Sequence, residues 1–220
     1  MIMVIYALIT IAIFGMWYYA RYEGNFLPSP KKTFNPMMLV AIVILVPGTQ
    51  FAANFIANLT GYIRPDWLQQ YNELFETSGI TDTTFVTVLY SVILAPICEE
   101  LIFRGVTMRC ARKTLPFALA NLMQAALFGL FHLNWIQGIY AFALGIVLGY
   151  VCERGGSIYY SMGLHLLFNL WGTLSGFFPD PGNSVVVFVI VIAVTIISLV
   201  VGFVLFNKGR RKLPINSTGI

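Results

Sequence analysis

Charge is what this chain has least of. Only 10% of its 220 residues are charged and 58% are hydrophobic, whereas a soluble domain is about a quarter charged. Mean hydropathy is +0.80. An ordinary soluble protein is excluded, and no repeat, low-complexity stretch or linker marks off a separate soluble domain. Cysteine is also scarce. Cys98, Cys110 and Cys152 form no Cys-x-x-Cys pair, so neither a disulfide framework nor a thiolate metal cluster is encoded. Cys98 abuts two glutamates, which leaves a thiol nucleophile open beside the plainer reading of a small buried hydrophobe. The first twenty residues lack the basic start of a secretory signal and read as a membrane helix.

What the chain does have is long apolar runs. A membrane-crossing helix needs about 20 mainly apolar residues. Runs near 2–20, 37–58, 85–104, 117–133, 137–152, 157–175 and 185–206 fit that length, the fourth and fifth being short. The fold expected is therefore all-α, a polytopic transmembrane bundle of about seven spans in a cell membrane. If the spans alternate with the C-terminus inside, twelve of the thirteen Lys and Arg residues fall inside and only Arg64 outside. The positive-inside rule then sets the N-terminus out and the C-terminus in. The basic tail "NKGRRK" anchors to an anionic leaflet, and nucleic acid is not an expected partner. The outer connector "RPDWLQQYNELFETSG" puts Trp67, Leu68, Tyr71 and Phe75 on one helical face. That suits a helix on the membrane surface, either a plain connector or a lid.

The few charges sit in a telling place. Glu99, Glu100 and Arg104 interrupt the third run. Each charge at a helix centre opposes insertion by roughly 2.5–3.5 kcal/mol. Such groups must face other helices or water, and they are candidates for function. Glu100 and Arg104 are four apart, in the favourable order for a helix ion pair. Glu99 points about 100° away and has no partner on its own helix.

Both histidines also lie in apolar runs, His132 in "FGLFH" and His165 in "GLHLLFN". A lone buried histidine is commonly only a core residue, so position has to decide. If the chain folds back at Pro116, Glu99 lies 17 residues before the turn and His132 16 after it. At 1.5 Å per residue both sit about 25 Å from the turn, at one depth. Asn169 follows His165 by one helical turn. Glu99, His132, His165 and Asn169 can therefore converge on one polar pocket. Gly129, Gly145, Gly149, Gly163 and Gly172 would allow close helix approach around it. A carboxylate and a histidine facing one water can make it a nucleophile, with a second His and an Asn donating to an oxyanion. Alternatively, Glu99, His132 and His165 could hold a divalent metal such as zinc with an open position. Either arrangement suits amide hydrolysis. His-Glu-x-x-His is absent.

Three motifs carry a resemblance. "EELIFR", Glu99 to Arg104, is similar to the Glu-Glu-x-x-x-Arg motif of the CAAX-protease and bacteriocin-processing family (CPBP, or ABI). "FGLFH", Phe128 to His132, resembles its Phe-x-x-x-His motif, and "HLLFN", His165 to Asn169, its His-x-x-x-Asn motif. The resemblance implies an intramembrane endopeptidase acting on a membrane-associated peptide or protein. It assigns Glu99 and His132 to water activation, His165 and Asn169 to the oxyanion, and Glu100 and Arg104 to support. Family members are usually labelled metalloproteases, although the same residues permit a metal-free water mechanism. The small size resembles bacterial members linked to peptide processing, bacteriocin immunity or peptide signalling. The expected organisation is residues 1–84 as N-terminal helices with the outer connector, 85–175 as the catalytic core, and 176–220 as a last span with its basic tail. A proton-coupled transporter and a non-catalytic regulatory scaffold are the rival readings of the same buried charges.

Overall fold

The computed structural model describes residues 2–20, 34–78, 84–175 and 184–210. Eight helices follow in order: α1 Ile2–Tyr18, α2 Pro36–Ile63, α3 Pro65–Ser78, α4 Phe85–Ala111, α5 Phe117–Phe131, α6 Trp135–Gly155, α7 Ile158–Ser175 and α8 Val185–Gly209. The described residues contain no strand, so the all-α expectation holds. Helices α2, α4, α6 and α8 are long and apolar enough to cross a bilayer, while α1 and α5 are shorter apolar helices. Arg21, Lys31, Lys32, Arg211 and Lys212, which entered the charge argument, lie outside the described residues.

Sequence signals set the helix ends. Asn35 caps α2 by accepting from Met37 N, and Pro36 occupies the first turn where no donor is needed. The Asn35 amide also donates to the Gly209 carbonyl at 2.7 Å, tying the start of α2 to the end of α8. Asn134 and Ser184 cap α6 and α8 in the same way. Gly156 ends α6 with φ 66°, a left-handed conformation that glycine adopts without steric cost.

Helices α2 and α8 pack along their length. A Cβ on Gly48 would lie 2.9 Å from Leu199 Cγ, and one on Gly202 2.6 Å from Leu45 Cγ, so each glycine makes room for the facing helix. Pro47 disturbs the ladder of α2 here. The Ser198 hydroxyl enters the opening, accepting from Gly48 N at 2.8 Å and donating to the Ile44 carbonyl. Helix α2 also packs on α6 and α7, where Ala41, Leu45, Leu144, Leu148, Leu164 and Phe168 share one buried cluster. The flanking helices are thus continuous with the middle of the bundle.

Helix α3 packs against the start of α6. Trp67 stacks on Trp135 with ring centroids 5.3 Å apart, and Arg64 lies over Trp67 at 4.3 Å. Arg64 also donates to both oxygens of Asp66, and this hydrogen bonding holds the Asp66 carboxyl below its ordinary range. Tyr71 hydrogen-bonds Tyr140 of α6, and burial pushes the Tyr71 phenol above its ordinary value. The Phe75 side chain, expected on the same face, lies outside the described set.

Candidate active site

Helix α4 carries the two glutamates, and it is not a uniform α-helix. Leu89–Leu94 and Leu101–Met108 are π-helical, with wider turns closed by bonds five residues apart. Proline explains part of this. Ala95 N bonds back to the Tyr90 carbonyl, and Pro96 has no N–H. Neither residue can serve the Ser91 carbonyl. Asn169 of α7 serves it instead, donating from Nδ2 at 2.8 Å. The bond is part-buried, and it fastens α7 to α4.

Glu100 and Arg104 are both fully buried and pair at 2.9 Å. The guanidinium carbon lies 4.5 Å from the centre of the Phe128 ring on α5. The other Glu100 partner is His165, whose Nδ1 is 2.9 Å from the same carboxylate oxygen, Oε1. An ionised carboxylate only accepts, so Nδ1 carries a proton. His165 Nε2 then points at Glu99 Oε2, 3.5 Å away. His165 thus stands between two carboxylates from adjacent positions on α4. The Glu99 side chain is 15% exposed, so it keeps an opening that Glu100 lacks.

His132 reaches the site from the end of α5. It is the C-cap residue, not an interior one, and the chain reverses immediately after it through Leu133, whose φ of 53° is unusual for a branched side chain. His132 Nδ1 lies 2.9 Å from the Phe128 carbonyl. A carbonyl only accepts, so Nδ1 donates and Nε2 of the neutral ring keeps its lone pair. Phe128 joins the histidines: its ring meets His132 edge-on at 5.0 Å and His165 at 5.7 Å between centroids. Phe103 of α4 packs on Phe128 at 5.2 Å and on Phe131 at 5.6 Å, which aligns the two helices in depth.

The structure therefore brings Glu99, Glu100, Arg104 and His165 into one contiguous group. His132 adjoins it through Phe128, whereas Asn169 bonds α4 about two turns earlier, at Ser91. Sequence spacing set Glu99 opposite His132, but the direct partner of Glu99 is His165. Two of the expected close-packing glycines differ as well. A Cβ on Gly163 would meet nothing within 4 Å, and one on Gly172 would come no nearer than 3.9 Å to Gln50.

Residues 81–171 match the family model described as type II CAAX prenyl endopeptidase Rce1-like. The match covers 91 of the 220 residues and indicates a CAAX-type intramembrane endopeptidase, a hydrolase. No curated protein and no solved structure matches it. The matched endopeptidase segment runs from just before α4 into α7 and contains all six singled-out polar residues.

The donors expected for zinc do not converge among the described residues. Among the described residues, no three His, Cys, Asp or Glu side chains are placed to hold a metal ion. Glu99, His132 and His165 do not form such a set. His165 directs one nitrogen at Glu100 and the other at Glu99, while His132 commits Nδ1 at the end of another helix. The thiol alternative weakens as well, because Cys98 is buried and its sulfur donates to the Ala7 carbonyl at 3.3 Å. Sequence reasoning missed Ser91, the carbonyl partner of Asn169, since only the π register and Pro96 make that carbonyl available.

Proposed function

We propose that the endopeptidase cleaves a membrane-associated peptide or protein with a water activated by Glu99 and His132. The observation that supports this best is the split between the adjacent glutamates. Arg104 neutralises Glu100, whereas Glu99, among the described residues, faces only His165 and retains an opening. Glu99 is thus the carboxylate free to take a proton from water. His132 Nε2, left with its lone pair, can accept a hydrogen bond from the same water. His165 carries the next role. When both its nitrogens are protonated, Nδ1 donates to Glu100 and Nε2 can turn from Glu99 to the oxyanion of the tetrahedral intermediate. The second N–H of the Asn169 amide, not used on Ser91, is the companion donor. The proton held by Glu99 passes to the leaving amine as the peptide bond breaks.

In this reading the chain spans the bilayer about seven times, N-terminus out and C-terminus in, and α3 lies on the outer surface. Peptide processing or bacteriocin immunity in a bacterial cell is the biological setting proposed. The native thiols test the orientation. Cys110 is exposed near the inner end of α4, while Cys98 and Cys152 are buried. A membrane-impermeant maleimide added to cells should label the protein only after permeabilisation. Labelling of Cys110 on intact cells would reverse the orientation.

Asn169→Ala should show two effects. Loss of one oxyanion donor lowers kcat by about 10²–10³-fold. Loss of the Ser91 bond lowers the melting temperature. A variant with full kcat would remove Asn169 from the oxyanion site whatever its stability.

A further inference from the structure

Behind the site lies a buried polar group that belongs to none of the three motifs. Gln124 of α5 is fully buried, and both its amide hydrogens are used. Nε2 donates to Asn121 Oδ1 at 2.7 Å and to the Gly145 carbonyl of α6 at 2.9 Å. Asn121 Nδ2 in turn donates to the Ile146 carbonyl at 3.0 Å. Carbonyls only accept, so these two fix both amide orientations. The same Gly145 carbonyl accepts from Arg104 NH2 at 3.3 Å. Gln124 and Arg104 are therefore neighbours sharing one acceptor. Each also holds a buried atom without a partner among the described residues, the donor Arg104 Nε and the acceptor Gln124 Oε1.

Glycine makes the arrangement possible. A Cβ on Gly149 would collide with Asn121 Oδ1 and lie 2.7 Å from Gln124 Nε2, while one on Gly145 would lie 3.1 Å from Ala125 and 3.2 Å from Phe128. α6 thus carries glycine where the amide pair and the α5 backbone press against it.

We infer that Gln124, held by Asn121 and Gly149, is a positioning residue of the protease. It sets the guanidinium of Arg104, and through Arg104 the Glu100 carboxylate and the ring of His165. The chain of contacts is continuous: Gln124 and Arg104 on the Gly145 carbonyl, Arg104 on Glu100 at 2.9 Å, and Glu100 on His165 at 2.9 Å. The link to catalysis rests on the proposed role of His165, but the link to the His165 ring does not.

That separation dictates the experiment. The chain contains only two histidines, so protein with isotope-labelled histidine gives two imidazole spin systems, assigned through His132→Ala. Gln124→Leu should shift the His165 nitrogen resonances and leave those of His132 in place. With a farnesylated CAAX peptide bearing a fluorophore and quencher, the same variant should lose about 10–100-fold in kcat, the usual effect of a supporting residue one step behind a site, with KM within about twofold. Gly149→Ala displaces the amide pair from the opposite side and should reproduce both effects. If Gln124→Leu does not fold, Gly149→Ala decides. Unchanged His165 resonances in a folded variant overturn the inference. A shifted ring with unchanged kcat leaves the positioning intact and overturns the protease role proposed for His165.

Discussion

Replacing Glu99 by Gln should abolish cleavage while leaving the amount and melting temperature of the protein unchanged. The substitution keeps size and shape and removes only the charge that takes a proton from water. Glu99 contributes little to the fold, because the Arg104 guanidinium is spent on Glu100 and the nearest Glu99 partner is His165 at 3.5 Å. Loss of a general base lowers a rate by about 10²–10⁴-fold. His132→Ala should cost a similar factor, and the double variant should be little worse than either, since residues acting on one water act as a unit. The measurement is a comparison of membrane peptidomes from cells carrying wild type or Glu99→Gln. A peptide terminus found only with wild type gives both the activity and its substrate. A fully functional Glu99→Gln chain would point to a scaffold.

Arg104→Ala should act on the fold before it acts on the reaction. The Arg104 side chain is fully buried, and its charge balances a Glu100 carboxylate that is equally buried. Removing one member of such a pair strands the other and costs about 3–5 kcal/mol. That is a large share of the roughly 5–15 kcal/mol that keeps a protein folded. Arg104→Lys should recover only part of it, because a single ammonium cannot reach Glu100 and the Gly145 carbonyl together and cannot lie flat on Phe128. Replacing both partners, as in Glu100→Gln with Arg104→Met, should restore much of the stability without restoring cleavage, because His165 would still lack its carboxylate. The readout is the melting transition followed by tryptophan fluorescence, beside the amount of monodisperse protein. Normal melting of Arg104→Ala would show that the pair does not support the fold.

The parts legible in the sequence are those governed by local rules. Apolar run length gave the helices, and Pro116 gave the hairpin of α4 and α5. The four-residue step from Glu100 to Arg104 gave an interaction that the structure contains at 2.9 Å. Depth counting placed Glu99 and His132 at one level, because two helices joined by a short turn share a ruler. Rotation about each helix axis was not legible. Counting residues assumes 3.6 per turn, and α4 departs from that over two stretches, 89–94 and 101–108. The wider turns alter the direction of every side chain beyond them, so the contact of His165 with both glutamates could not be read from spacing. The amide pair behind Arg104 was illegible for another reason. Asn121 and Gln124 sit in an apolar run with no charge or motif to mark them, and only the approach of α6 shows what they hold.

The shortness of α5 bears on how a hydrolytic enzyme in oil obtains its water. Phe117–Phe131 has 15 residues, about 22 Å of helix, against roughly 30 Å of hydrocarbon in a typical bilayer. His132 therefore ends a helix that falls about 8 Å, or about five residues, short of the hydrocarbon thickness. Lipids beside that end must thin, or headgroups and water must dip inward to meet the turn that follows, where Leu133 is exposed. Either response brings the aqueous phase down to the side of the bundle where His132 stands. Turnover should then depend on the acyl chains around the enzyme: faster in thin bilayers, slower as each added methylene pair pulls the interface away from His132.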